Sequence, residues 1–165
     1  MEVVEKGKAR VEAALALTKE DSKRVSEFTI VPHRFAENQS FYEAFSLGGL
    51  LINQIQPGFL VCTFRVPSRL MDANGNFSNG AIANLVDEIG SAALVSEGLP
   101  TKVSVDMSIS YLSAAKMDDE LEIVSKTLGH KGGYSGTSVL VRNKVTGELI
   151  AEGRHSLFGK LTSKI

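Results

Sequence analysis

The chain has 165 residues, 43% of them hydrophobic, with 18 Lys and Arg against 19 Asp and Glu for a formal net charge of −1. That is enough for one domain with a sizeable core, and it leaves no basic field of the kind nucleic-acid binding needs. The single cysteine, Cys62, excludes an internal disulfide, and His33, His130 and His155 are too scattered for a zinc site, so no metal is expected.

The start, MEVVEKGKAR, lacks the charged and apolar regions of a signal peptide, and no apolar run approaches the roughly 18 to 20 residues of a membrane span. An intracellular protein without membrane contact is expected. Val4, Val11, Ala14 and Leu15 in an Ala, Glu and Lys-rich context predict a helix from about Glu2 to Thr18, followed by a polar joint around Asp21 to Lys23. A short helix follows in SFYEAF, where Ser40 and Glu43 have capping-box spacing, Phe41 and Phe45 stand four apart, and Gly48 and Gly49 end the run.

From Leu50 the period changes to that of strands. LLINQIQ, a turn at Pro57 and Gly58, and FLVCTFRV, with Leu60, Cys62, Phe64 and Val66 on one face, predict a β-hairpin with Cys62 in the core. The Asn, Gly and Asp-rich loop SRLMDANGNFSNG leads into a long helix from Phe77 to Val95. Ile82, Leu85, Val86, Ile89, Ala92 and Ala93 give that helix a core stripe, while Ala83, Asp87 and Gly90 form a second stripe of small residues around one acid. Ser78 and Asn79 are N-cap types, and Pro100 closes the loop beyond the helix.

Four further strands are predicted in KVSVDMSISYLS, DELEIVSKTLG, YSGTSVLVRN and ELIAEGRHSLF, the last two joined by a tight turn from Asn143 to Gly147. In the first, Val103, Val105, Met107, Ile109 and Tyr111 alternate with Ser104, Asp106, Ser108 and Ser110, which predicts a half-buried strand with those four polar residues on one face. Short connections favour antiparallel neighbours, and one helix with two distinct faces is best satisfied by a sheet curled around it. The expected class is α+β, an antiparallel sheet wrapped around a long central helix.

Asp87 is the first candidate for chemistry, because burying a bare carboxylate costs several kcal/mol and something must satisfy it. A neighbouring hydroxyl or loop amides would make it structural; a reacting group would make it a general base or nucleophile. The helix start at Ser78, Asn79 and Gly80 offers open amides and the positive end of a dipole, suited to a polarised carbonyl. Gly80 and Asp87 are about seven residues, or roughly 10 Å, apart along the axis, so one carbonyl can be served by both only if they come from different copies of the chain. Ser104 could supply a hydroxyl to orient a water. There is no Gly-x-Ser-x-Gly elbow and no P-loop.

NGAIANLVDEIGSAAL, followed by VSVDMSISYLSAAK and TGELIAEGRHSLFGK, resembles the hotdog-fold acyl-CoA thioesterases, most of all the small thioesterase-superfamily proteins similar to phenylacetate-pathway thioesterases. The resemblance spans roughly Leu50 to Lys160. It implies a hotdog thioesterase domain over residues 48–165; it is silent on the first forty residues, and residues 1–47 are read from their own helical pattern as an extension of the same domain. It also implies hydrolysis of acyl-CoA by a homodimer or a homotetramer built as a dimer of dimers, with coenzyme A entering only as part of the substrate. Asp87 matches the family's catalytic acid, Ser104 the serine or threonine that assists the water, and Asn79 the residue whose backbone N–H binds the thioester carbonyl.

The chain departs from the family where Ser78 and Asn79 replace a His-Gly pair, and where Asp72 replaces an Asn whose position faces the carbonyl. A carboxylate there would repel an oxyanion unless protonated, and Asn74 could turn in instead. For coenzyme A the resemblance points to Tyr111, Leu112, Ser113, Ala114, Ala115 and Lys116, to Gly129, His130, Lys131, Gly132, Gly133 and Tyr134, and to Phe158. Lys116 and Lys131 suit phosphates, and the paired glycines suit close backbone approach. Arg154 is a further candidate. Acyl preference is expected to depend on packing around Leu94, Phe77 and the partner helix. The altered turn leaves a second reading, a hotdog protein that binds acyl-CoA without turnover, and a third, a structural homo-oligomer. The last residues, Ser163, Lys164 and Ile165, differ from the Ser-Lys-Leu peroxisomal address only in the final aliphatic side chain, so a peroxisomal or cytoplasmic location is expected.

Overall fold

A tight turn at Pro57 and Gly58, where Gly58 adopts φ +73°, joins Leu51–Gln56 (β1) to Phe59–Arg65 (β2) and starts the sheet of the computed structural model, which describes residues 2–16, 18–27 and 41–159. After a 3-10 turn at Ser68–Leu70 come the long helix Asn79–Val95 (α4) and the strands Val103–Tyr111 (β3), Glu120–Lys131 (β4), Tyr134–Asn143 (β5) and Leu149–Phe158 (β6). The six strands lie in the order β1-β2-β4-β5-β6-β3, every neighbouring pair antiparallel. This is the expected α+β arrangement, with α4 packed against β2 to β6.

Alternation along the strands decides which side chains meet the helix. Leu60, Cys62 and Phe64 of β2, Leu121 and Ile123 of β4, Val139 and Val141 of β5 and Ala151 of β6 close on Ile82, Leu85, Val86, Ile89 and Ala93 of α4. Each fully buried Val, Leu, Ile or Phe contributes about 1.5–3 kcal/mol, so truncating Phe64 to alanine would cost about 3–5 kcal/mol. The helix begins two residues later than its periodicity predicts, because Phe77 is drawn into an isolated bridge with Met71 and buried. At its other end Ser96 accepts from the Gly58 N–H and donates to the Gln56 carbonyl at 2.9 Å, fastening α4 to the β1–β2 turn.

The contacts divide the chain into two units, Met1–Phe41 and Tyr42–Ile165. The first holds the helices Glu2–Leu15 (α1) and Lys19–Ser26 (α2). The joint expected at Asp21 to Lys23 is instead helical. α1 ends at Leu15, and Thr18 caps α2, its Oγ1 accepting from the Asp21 N–H at 3.0 Å, with Glu20 and Asp21 at the favourable end of the dipole. The short helix Phe41–Leu47 (α3) matches the SFYEAF expectation, although Ser40 lies outside the described residues. Ser46 ties into it by donating to the Tyr42 carbonyl at 2.6 Å.

The half-buried alternation expected for β3 does not hold: all its residues are exposed except the half-buried Ile109. β3 is a sheet edge, and among the described residues α4 touches only part of its inner face, through Ser104, Ile109 and Tyr111, which leaves most of the strand open.

Candidate active site

Asp87 lies in the middle of α4, where Ser104 Oγ donates to its Oδ1 at 2.6 Å. The Asp87 side chain remains 36% exposed, so it is held without being sealed. A β-bulge makes the contact possible. On β3, Ser104 pairs with Leu157 while Asp106 pairs with Ser156, leaving Val105 as an extra residue. Cross-strand partners share a face of the sheet. Ser104 and Met107 therefore share the helix-facing side with Leu157 and His155, while Asp106, Ser108 and Ser110 share the outer side with Ser156, Arg154 and Glu152. The sequence reading placed Ser104, Asp106, Ser108 and Ser110 together; the bulge separates Ser104 from the others. Arg154 is exposed on the outer side.

His155 was not among the residues singled out from the sequence, yet its Nε2 lies 3.3 Å from Asp87 Oδ1. It is 1% exposed, and neither ring nitrogen has a hydrogen-bond partner. Burial lowers its pKa below the usual histidine value, an effect the Asp87 charge partly offsets, so the ring is neutral near pH 7. Gly90 makes room for it: a Cβ there would come within 2.9 Å of both His155 Nδ1 and Thr137 Oγ1. The signal was present in ELIAEGRHSLF, where His155 shares its alternation with the buried Ala151, Gly153 and Leu157. Next to Asp87, Glu88 has its carboxyl pKa raised by burial first, then by the charges of Asp87 and Glu43.

At the start of α4, Ser78 makes no side-chain cap bond, so it leaves the first-turn amides from Asn79 onward open. Asp72 does not project a bare carboxylate here. Its Oδ1 accepts from the N–H groups of Asn74 and Asn76, each at 2.9 Å, and so shapes the loop. Tyr111 donates its hydroxyl hydrogen to the Asn79 carbonyl at 3.2 Å, and Lys116 Nζ donates to Asn76 Oδ1 at 2.5 Å. A cleft of about 350 Å³ opens between these segments, lined by Asp72, Asn76, Phe77, Asn79, Tyr111, Leu112, Ser113 and Ala114. The structure thus brings most of the YLSAAK run to the Asn79 turn. Ala115 is the exception: it is buried, and its carbonyl accepts from the Phe77 N–H.

The GHKGGY run lies at the opposite end of the helix. Gly129, His130, Lys131 and Tyr134 line a second cleft, of about 330 Å³, on the β4–β5 hairpin. Lys102 Nζ donates to Ser135 Oγ at 2.6 Å, so the serine hydrogen is free for His130 Nδ1 at 2.8 Å, and the His130 Nε2–H meets Glu97 Oε2 at 2.8 Å, just beyond the end of α4. Gly133 lets the end of β6 lie close against the hairpin, because a Cβ would meet the Phe158 ring and the Gly159 carbonyl at 2.6 Å. Tyr134 and Phe158 pack ring to ring at 4.8 Å. Within one chain the Asn79 turn and this hairpin are separated by the length of α4, roughly 25 Å. They do not form a single site on one protomer.

Among the described residues, no three His, Cys, Asp or Glu side chains converge as metal ligands, and no helix is long and apolar enough to cross a membrane. Cys62 is buried on β2, and burial pushes its thiol pKa up, which suits a core residue rather than a nucleophile.

Residues 74–137 match the model of the thioesterase superfamily. Human acyl-coenzyme A thioesterase 13 is 38% identical over 112 residues, which cover 67% of this chain and 79% of the human protein. The crystal structure of mouse thioesterase superfamily member 2 superposes with a TM-score of 0.67 at 34% identity, covering 72% of this chain and 87% of the mouse chain. A hypothetical thioesterase from Streptococcus pneumoniae, solved with coenzyme A, gives 0.63 at 27% identity, covering 66% and 84%.

Proposed function

The chain belongs to the thioesterase superfamily, and from that membership we propose that it hydrolyses acyl-coenzyme A thioesters to a free acid and coenzyme A, with Asp87 acting opposite the helix start of a partner subunit. The observation that carries the reading is the 2.6 Å bond from Ser104 to a carboxylate that remains open to solvent. Ser104 occupies Oδ1 and leaves the second oxygen to accept a proton from water. That water attacks the thioester carbon, the proton passes to Asp87, and charge gathers on the former carbonyl oxygen. The open amide of Asn79 on the other protomer would stabilise that charge. When the carbon–sulfur bond breaks, the proton on Asp87 returns to the departing thiolate. His155 stays neutral beneath the carboxylate and so adds no positive charge that would weaken Asp87 as a base. Direct attack by Asp87 on the carbonyl is the other route open to the same group.

The need for two protomers rests on distance. Asn79 and Asp87 are eight positions apart on one helix, or about 12 Å, too far to serve one carbonyl. β3 offers the surface: an uncovered edge strand carrying exposed Val103, Val105, Met107 and Tyr111. A two-fold pairing with the helices antiparallel, offset so that the Asn79 turn of one chain faces Asp87 of the other, would bring amide and acid to one carbonyl and direct the YLSAAK run of the first chain toward the GHKGGY run of the second. The tetramer expected from the resemblance would add a second such dimer.

Release of free thiol from a panel of acyl-CoAs tests the activity, and sedimentation tests the assembly. Saturable coenzyme A binding without thiol release would favour the non-catalytic alternative, which Ser78, Asn79 and Asp72 motivate. A peroxisomal or cytoplasmic location is part of the proposal. Residues 163–165 lie outside the described residues, and fusing the last ten residues to a reporter tests them as an address.

A further inference from the structure

The loop that delivers Asn79 has a cleft on each side. The first is the polar one already described, with Asp72, Asn76, Tyr111 and Ser113 around it. The second, about 220 Å³, lies between α3 and the start of α4 and is lined by Tyr42, Phe45, Leu70, Met71 and Ala81. Both reach the first turn of α4, through Asn79 on one side and Gly80 and Ala81 on the other. A thioester carbonyl held at the Asn79 amide has two substituents that leave it in different directions. One is the sulfur with its amide-bearing pantetheine arm, and the other is the acyl group.

The geometry points to the α3–α4 cleft as the acyl pocket, taking a medium-length aliphatic chain or a single aryl ring. This rests on the acyl-CoA reading above. Two aromatic rings, a thioether and a leucine suit an apolar guest, and of the polar residues that also border the cleft, Ser46 and Arg69 are turned to backbone carbonyls. Tyr42 and Phe45 stand 60% and 38% exposed, which is apolar surface that such a guest would cover. The volume falls short of the roughly 300–1,000 Å³ of pockets for drug-sized ligands, which disfavours long fatty chains. Leu94, expected to bound the pocket, is instead sealed in the core.

The wall is also fixed in place. Arg69 Nε donates to the Phe45 carbonyl at 2.6 Å and Nη2 donates to the Gly48 carbonyl, holding the C-terminal end of α3 against the 3-10 turn. Tyr42, Phe45 and Ala81 are then specificity-determining residues.

Calorimetric binding of non-hydrolysable S-alkyl-CoA thioethers, from ethyl to hexadecyl, tests the pocket without requiring turnover. Wild-type affinity is expected to rise about two- to fourfold per methylene up to about eight carbons and then level off. Ala81→Leu, which fills the cleft, should reduce the octyl-over-ethyl preference at least about tenfold. Phe45→Ala and Tyr42→Ala, at exposed positions that leave the core intact, should move the plateau to longer chains. An unchanged chain-length profile in all three variants would overturn the pocket, even if thioester hydrolysis is intact. The expected profile without any thiol release would support the pocket and overturn the hydrolytic reading. No coenzyme A binding at all would overturn both.

Discussion

Ser104 Oγ donates a 2.6 Å hydrogen bond to Asp87 Oδ1, linking an edge strand to the middle of the helix that the sheet surrounds. In the proposed mechanism the bond fixes one oxygen and leaves the other for the reacting water. Replacing Asp87 by asparagine removes the base and will lower kcat/KM by about 10²–10⁴-fold. Ser104→Ala loses a hydrogen bond to a charged group and will lower it roughly 10- to 100-fold, mostly in kcat. Steady-state thiol release measures both, and full turnover by Asp87→Asn would remove the assigned role.

His155 will make the protein less stable as pH falls. Its folded-state pKa is depressed by burial, so between that value and about 6.5 the unfolded chain binds more protons than the folded one. Stability is then complete above about 6.5 and is lost as pH drops through that window. Urea unfolding at pH 5 to 7.5 should show a steeper acid loss for wild type than for His155→Gln, which cannot titrate. Parallel curves would contradict this.

Glu88 has the opposite sign. Its folded-state pKa is raised above 4.5 by burial, by Asp87 and by Glu43, so its ionisation opposes folding. The favourable state is present below the unfolded value and is lost as pH rises through the folded one. Glu88→Gln should therefore be more stable than wild type at pH 7 to 8, with the gap narrowing toward pH 4. A destabilised glutamine variant at neutral pH would show that this carboxylate is needed as an acceptor.

Gly90→Ala sets two effects against each other. Alanine gains about 0.5–1 kcal/mol in a helix interior. Here its Cβ would sit 2.9 Å from His155 Nδ1 and Thr137 Oγ1, and overpacking costs about 1–3 kcal/mol. The net expectation is a lower melting temperature together with reduced turnover, because the displaced ring is the one beneath Asp87. A stabilised, fully active variant would show that His155 can move without consequence.

Much of the architecture was legible because its signals are local. The period-two runs of β2, β4, β5 and β6, the 3.6-residue stripe of α4 and the Pro57–Gly58 turn each specify their own conformation, and short connections then favour antiparallel pairing. Asp87 stood out for the same reason, as an acid in the middle of an apolar helix. α2 was misread because Lys19 to Ser26 has almost no apolar stripe. It is organised by the Thr18 cap and by charge pairs such as Asp21 with Arg24 at 3.1 Å, which periodicity does not register.

The sequence by itself determined the sheet's strands, the long helix and their pairing sense, and singled out the acid, since each follows from the order of side chains along a few turns or strand residues. Only the tertiary structure decided which side chains meet that acid. Simple alternation groups Ser104 with Asp106 and Ser108, but the extra residue at Val105 in the β3–β6 pairing turns Ser104 alone toward Asp87. His155 joins it because Gly90 lets the helix lie close over β5 and β6. Register and the distance between layers are set by the packing of the whole core, where a shift of one residue changes the face of every side chain, and no local period carries that information.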